Sequence, residues 1–180
     1  MIPAGVATFA AGLFAAVTLA GGQARPIQVT PVVTDGQVTV SFTAPEALDP
    51  ETRALVQSGL LLTLSFDIDL KAPSAAWFDR TMARAEVAST IKFDNLTGVY
   101  LVSRLRDDHV IWSERTHDVA QAELWATSFD GVHVADTAGL VPNAEYYLRV
   151  RLRFSPRRTF PLWPWASDDR SGRAVFTYLR

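Results

Sequence analysis

The sequence predicts a mainly β protein. The expected architecture is a two-sheet antiparallel sandwich of about eight strands with two short helices, preceded by an N-terminal hydrophobic signal helix. Three observations support it. Apolar and polar residues alternate over most of the chain after Arg25, most cleanly from Leu60 to Lys71. Turn residues such as Asp35-Gly36 and Asp107-Asp108 separate the alternating runs. There is no strand–helix–strand alternation, so stacked antiparallel sheets are the economical way to bury many half-apolar strands.

With 180 residues, 48% of them hydrophobic, and a net charge of −2, the chain suits one folded domain. The absence of cysteine excludes disulfides and thiolate metal sites. The 19 acidic side chains outnumber the 17 basic ones, which argues against a general nucleic-acid binder.

The first 24 residues carry no charged side chain and include 16 hydrophobic ones. The run ends in Gly22-Gln23-Ala24, a small-x-small exit that reads as a secretory signal. Residues 1–24 are therefore expected to be a signal peptide and residues 25–180 a single sandwich domain. The protein is expected to be exported, periplasmic or extracellular; an uncleaved segment would instead anchor it to the membrane.

The elements follow in order. Ile27, Val29 and Val33 lead through Asp35-Gly36 into Val38, Val40 and Phe42, the signature of a tight hairpin. Pro31 lacks a ladder donor and marks an edge strand. Asp49 as N-cap, Pro50 at the first helical position and Gly59 as left-handed stop define a short helix. Leu60 to Leu70 then alternate with Leu61 to Lys71, giving one buried and one wet face. A strand over Arg84 to Phe93 turns at Asp94–Gly98 into Val99 to Leu105, and a second turn leads to Val110-Ile111-Trp112. A second helix is expected over Asp118 to Ser128, with Thr116 as cap, Phe129 continuing its apolar stripe and Gly131 as its stop. Tyr146, Leu148, Val150, Leu152 and Phe154 oppose Tyr147, Arg149, Arg151 and Arg153 in a late strand, and Arg173 to Leu179 closes the fold. The run Leu140–Tyr146 resembles the tyrosine corner of immunoglobulin- and fibronectin-like sandwiches, whose hydroxyl bonds back to upstream backbone.

Several of these features resemble an uncharacterised bacterial family of exported proteins, catalogued as domain of unknown function four-three-nine-zero. They are the helix ending in Ser58-Gly59 before a long strand, Trp77-Phe78-Asp79-Arg80 after it, the run Ile91–Val102, and Val141–Tyr147 leading into the arginine-rich strand. The resemblance covers Ile27 to Arg180. It implies an exported β-rich protein and carries over no reaction.

Chemical motifs are few. His109 and His117 flank the strand around Trp112, roughly 26 Å apart if it is straight, too far to share a metal. His117-Asp118 reads as a helix start rather than an acid–base pair. Ser167–Gly172 is only a loose match to a calcium loop, with Arg170 inside it and no distant Glu. The sequon Asn95-Leu96-Thr97 sits in a turn. No metal and no cofactor is expected.

Charge asymmetry is the functional lead. From Glu145 to Arg180 eight arginines face three acids, a balance of +5, whereas the rest of the chain carries −7. Arg149, Arg151 and Arg153 form one stripe, continued by Arg157 and Arg158 and followed by Trp163 and Trp165. These seven residues are the candidate binding set. Guanidinium forks suit anionic lipid head groups, a phosphorylated glycan or an acidic envelope protein. Cross-strand pairing with Asp67 and Asp69 is the competing, internal account. The expected role is a non-catalytic binding or scaffold module. The alternative is an envelope enzyme acting on a polymer through exposed carboxylates such as Asp67, Asp69 or Asp79.

Overall fold

The computed structural model describes residues 26–74, 78–155 and 170–179. The expected signal segment, Trp77, Arg157, Arg158, Trp163, Trp165 and the Asp168-Asp169 turn lie outside the described residues. In chain order the elements are β1 (Gln28–Thr34), β2 (Gln37–Thr43), α1 (Pro50–Gln57), β3 (Leu62–Ala72), β4 (Arg80–Asp94) and β5 (Val99–Arg106). They continue with β6 (His109–Thr116), α2 (Val119–Thr127), β7 (Ser128–Asp136), β8 (Glu145–Ser155) and β9 (Ser171–Thr177). All pairings are antiparallel, in a small sheet ordered β1-β2-β7 and a six-stranded sheet ordered β6-β5-β4-β3-β8-β9. The small sheet and both helices contribute to one core against the inner face of the large sheet.

Local chemistry sets the frame. Asp35 and Gly36 both take positive φ, 54° and 75°, as the tight β1–β2 turn demands. Pro31 lies on the edge strand opposite Val40. The Asp49 carboxylate accepts the Thr52 N–H at 2.8 Å and caps α1. The helix exits through Gly59, at φ 89°, with Gly59 N–H donating to Val56 O and Leu60 N–H to Leu55 O. That exit holds Leu60 and Leu61 outside the ladder, so both are exposed and β3 begins at Leu62.

Leu64, Phe66, Ile68 and Leu70 of β3 are fully buried. Phe66 meets Phe42 of β2 and Phe129 of β7 with ring centroids 5.0 and 5.4 Å apart, and those two rings lie 5.1 Å from each other. Each such ring contributes about 1.5–3 kcal/mol by burial, and their mutual geometry adds more. This triad joins the two sheets.

The structure corrects the second helix. Asp118, not Thr116, is the N-cap, accepting the N–H groups of Ala120 and Gln121; the Thr116 hydroxyl accepts from Asp118 N. The helix ends at Thr127 and the chain passes directly into β7, a strand beyond the eight expected, whose first residues the sequence reading assigns to the helix end. Phe129 therefore pairs with Phe42 across a sheet instead of extending a helical stripe. Gly131, expected as a helix stop, sits at a β-bulge: it has φ 60° and its N–H donates to the Ser41 hydroxyl.

Arg104 of β5 points inward and closes the α2–β7 junction. It donates to Trp125 O at 3.3 Å and Ser128 O at 2.7 Å, and lies over the rings of Trp112 and Phe129. Burial lowers its guanidinium from the ordinary value. Arg106 likewise donates to His133 O of β7. Trp112 and Trp125 pack edge to face at 5.3 Å against the core, as expected.

The tyrosine corner is present: Val141 N–H donates to the buried Tyr146 hydroxyl at 2.8 Å. Nearby, β1 crosses β9 so closely that a Cβ on Gly172 would overlap the Ile27 carbonyl. Gly172→Ala should therefore cost about 1–3 kcal/mol in urea denaturation, because backbone rather than a flexible side chain must yield. Tyr146→Phe should cost about 1 kcal/mol in the same measurement by removing the acceptor of the Val141 N–H.

Candidate functional site: an arginine–carboxylate face

Alternation places Thr63, Ser65, Asp67, Asp69 and Lys71 of β3 on the face away from the core. Tyr147, Arg149, Arg151 and Arg153 of β8 share that face, because Tyr146, Leu148, Val150 and Leu152 are buried on the other. Register then decides the contacts. Asp69 lies opposite Arg149 on one side and Arg84 of β4 on the other; Asp67 lies between Arg151 and Glu86. Across β9, Arg149 lies opposite Arg173.

Three arginines converge on one carboxylate. Arg149 and Arg151 reach Asp69 Oδ2 at 2.9 and 3.3 Å, and Arg84 Nε reaches Oδ1 at 3.2 Å. Arg153 pairs with Asp67 and lies 3.3 Å from Glu86. Although it stands on the outer face, Asp69 is only 3% exposed. Arginine stems commonly cover neighbouring surface in this way while their heads stay wet. Burial acts to raise the Asp69 carboxyl, but the Arg149 hydrogen bond and the charges of Arg151, Arg149 and Lys71 outweigh it and hold the group below its usual value.

At the β9 side, the Tyr147 hydroxyl donates to Asp79 Oδ2 at 2.6 Å, and Arg173 lies 3.8 Å over the Tyr147 ring. The hydroxyl bond from Tyr147 and the Ser74 N–H hold Asp79 low. Burial, with the Asp79 bond and charge, holds the Tyr147 phenol high.

Arg149, Arg151 and Arg153 thus come together as the sequence indicates, and they pair across the sheet with Asp67 and Asp69. Arg157, Arg158, Trp163 and Trp165 lie outside the described residues. Sequence reasoning placed Tyr147 on this face but missed Arg84, Glu86 and Arg173 as members of it. Their signal was strand parity, readable only once the β3–β4 and β8–β9 registers are known.

Asp67 and Asp69 are two residues apart on one face, about 7 Å, a spacing that glycosidases use. A general acid, however, needs a carboxyl held high. Asp69 is held low beneath three cations, and Asp79 is held low by Tyr147. Among the described residues no group of three or more His, Asp or Glu side chains is placed to hold a metal ion. His109 and His117 stand at opposite ends of β6 and contact Asp107 O and Gly98 O. Among the described residues, no helix is long and apolar enough to cross a membrane.

Asp69→Asn should cost about 2 kcal/mol in equilibrium unfolding. That is less than the loss for a fully buried pair, because the arginines remain partly solvated. The sign with pH follows from the lowered carboxyl. Its contribution is complete above the unfolded value near 4 and is lost as pH falls through the lower folded value. A stability–pH profile below about pH 4 should therefore be less steep for Asp69→Asn than for the parent protein.

Comparison with known proteins gives one match. The family model described as Domain of unknown function (DUF4390) matches residues 22–164. No curated protein and no solved structure matches the chain. The matched span contains β1 to β8, both helices and the arginines of β8, and ends before β9. With that span covering most of its length, the chain belongs to the family Domain of unknown function (DUF4390).

Proposed function

We propose that the protein is an exported, non-catalytic binding or scaffold module of the bacterial cell envelope. It docks an acidic envelope protein or an anionic envelope surface through the outer face of its six-stranded sheet. The observation that supports this reading is the crowding of arginines on that face. Arg84, Arg149, Arg151, Arg153 and Arg173 cluster on it, three of them around the single carboxylate of Asp69, with Asp67, Glu86, Glu145 and Asp79 as the other acids of the face and its edge. Among the described residues no element packs over it, since the small sheet and both helices lie on the opposite side. Guanidinium groups clustered on an open surface steer and orient anionic partners.

Export rests on the apolar segment with its Gly22-Gln23-Ala24 exit. N-terminal sequencing of exported material should begin near Arg25; a start at Met1 would overturn cleavage.

Docking is tested by replacing Arg149, Arg151, Arg157 and Arg158 with glutamine. Crosslinking and co-purification from envelope fractions should lose the partner at unchanged protein level. A double Arg157→Gln/Arg158→Gln variant, which leaves Asp69 paired, controls for folding. Unchanged envelope association and an unchanged set of crosslinked partners in the folded four-residue variant would end this reading.

A further inference from the structure

Pairing within the sheet leaves one corner of the outer face unsatisfied. Arg149 and Arg173 are direct cross-strand partners, so their side chains leave the sheet on the same side with Cβ atoms about 5 Å apart. Like charges so placed repel. Arg149 has Asp69 for a partner, but Asp69 also serves Arg151 and Arg84. Arg173 has no carboxylate within ion-pair distance among the described residues; its contact is the Tyr147 ring. Asp79, the acid of that corner, is engaged by the Tyr147 hydroxyl and the Ser74 N–H, and the Arg173 charge acts on it only from beyond ion-pair distance. Among the described residues the Nε–H groups of Arg149 and Arg151 are buried without an acceptor. The corner therefore has more donors than acceptors and more positive than negative charge.

We propose that Arg149 and Arg173 form a binding site for a phosphate group. The proposal rests on the docking reading above and narrows its anion. The two guanidinium groups rise from neighbouring strands, so they approach a ligand from different directions. A tetrahedral phosphate offers oxygens in more than one plane and up to two negative charges, whereas a carboxylate's two coplanar oxygens are filled by one arginine fork. Stacking on Tyr147 holds the Arg173 head before any ligand arrives, which reduces the ordering cost of binding. A phosphorylated glycan and a phospholipid head group present the same chemistry.

Inorganic phosphate is the first probe, added to the full chain near pH 7.5 at matched ionic strength against sodium acetate and sodium chloride. Phosphate should raise the thermal midpoint, and the two monoanions should not. Arg173→Gln removes an exposed side chain that makes no ion pair among the described residues, so the variant should fold; it should bind phosphate about tenfold more weakly, with Arg173→Lys intermediate. An equal shift in acetate, or undiminished phosphate binding by Arg173→Gln, would overturn the site. Co-sedimentation with vesicles of phosphatidate in phosphatidylcholine separates the sources. Retention that Arg173→Gln abolishes assigns the lipid, and phosphate binding without retention assigns a soluble or glycan phosphate. The two readings fail separately. If phosphate has no effect while the four-arginine variant loses its envelope partner, the phosphate site falls and docking stands. If phosphate binds while that variant keeps its partner, docking falls and the site stands.

Discussion

The period-two pattern of β3 is the constraint on which the rest of the molecule depends. β3 lies inside the large sheet, paired on both sides, and its two faces are chemically opposite. One carries Leu64, Phe66, Ile68 and Leu70 into the core, and the other carries Asp67, Asp69 and Lys71. A slip of one residue would drive three charges under the small sheet and expose four large apolar side chains. No neighbouring register tolerates that exchange, so β4 and β8 are fixed by the strand between them. The aromatic triad then fixes the small sheet through Phe66.

Asp69 shows how a surface position acquires an interior environment without any covering layer. Its neighbours are long, and their aliphatic stems exclude water while their heads supply charge. Such a cluster holds the strands in register but does not by itself account for three arginines gathered on one carboxylate. A face built only for internal pairing would give each arginine its own acid, as Arg53 has Glu123 where α1 meets α2. That crowding makes the outer face the functional candidate and the β8–β9 corner its most specific part.

Much of this was legible in the sequence because it is local. Asp35-Gly36, the Asp49-Pro50 helix start, Gly59 and the alternation of β3 and β8 each act over a few residues, and each appears where expected, save that Leu60, expected on the buried face, is exposed ahead of β3. The tyrosine corner was legible for the same reason. β7 was not, because Trp125, Ala126 and Phe129 keep helical spacing across a junction with no loop, and Gly131 serves a bulge as well as it would a helix stop. Arg104 and Arg106 passed unnoticed although they share the parity of the buried Tyr100 and Val102; an arginine on an inward-facing position is the sign that was available. The burial of Asp69 needed the registers of three strands at once. No pattern within one strand encodes it.

The late position of β7 bears on how the chain acquires its shape. The meander from β3 to β6 pairs neighbours in sequence and closes quickly, as local contacts do. The β1–β2 hairpin also forms locally, but its second strand finds a partner only when Phe42 meets Phe129, and β3 completes its pairing only when β8 arrives. Closure of the small sheet is thus deferred until β7, and that of the large sheet until β8 and β9, and the search for those distant partners slows folding. A chain with this strand order keeps its sheet edges unpaired for longer than its size alone would suggest.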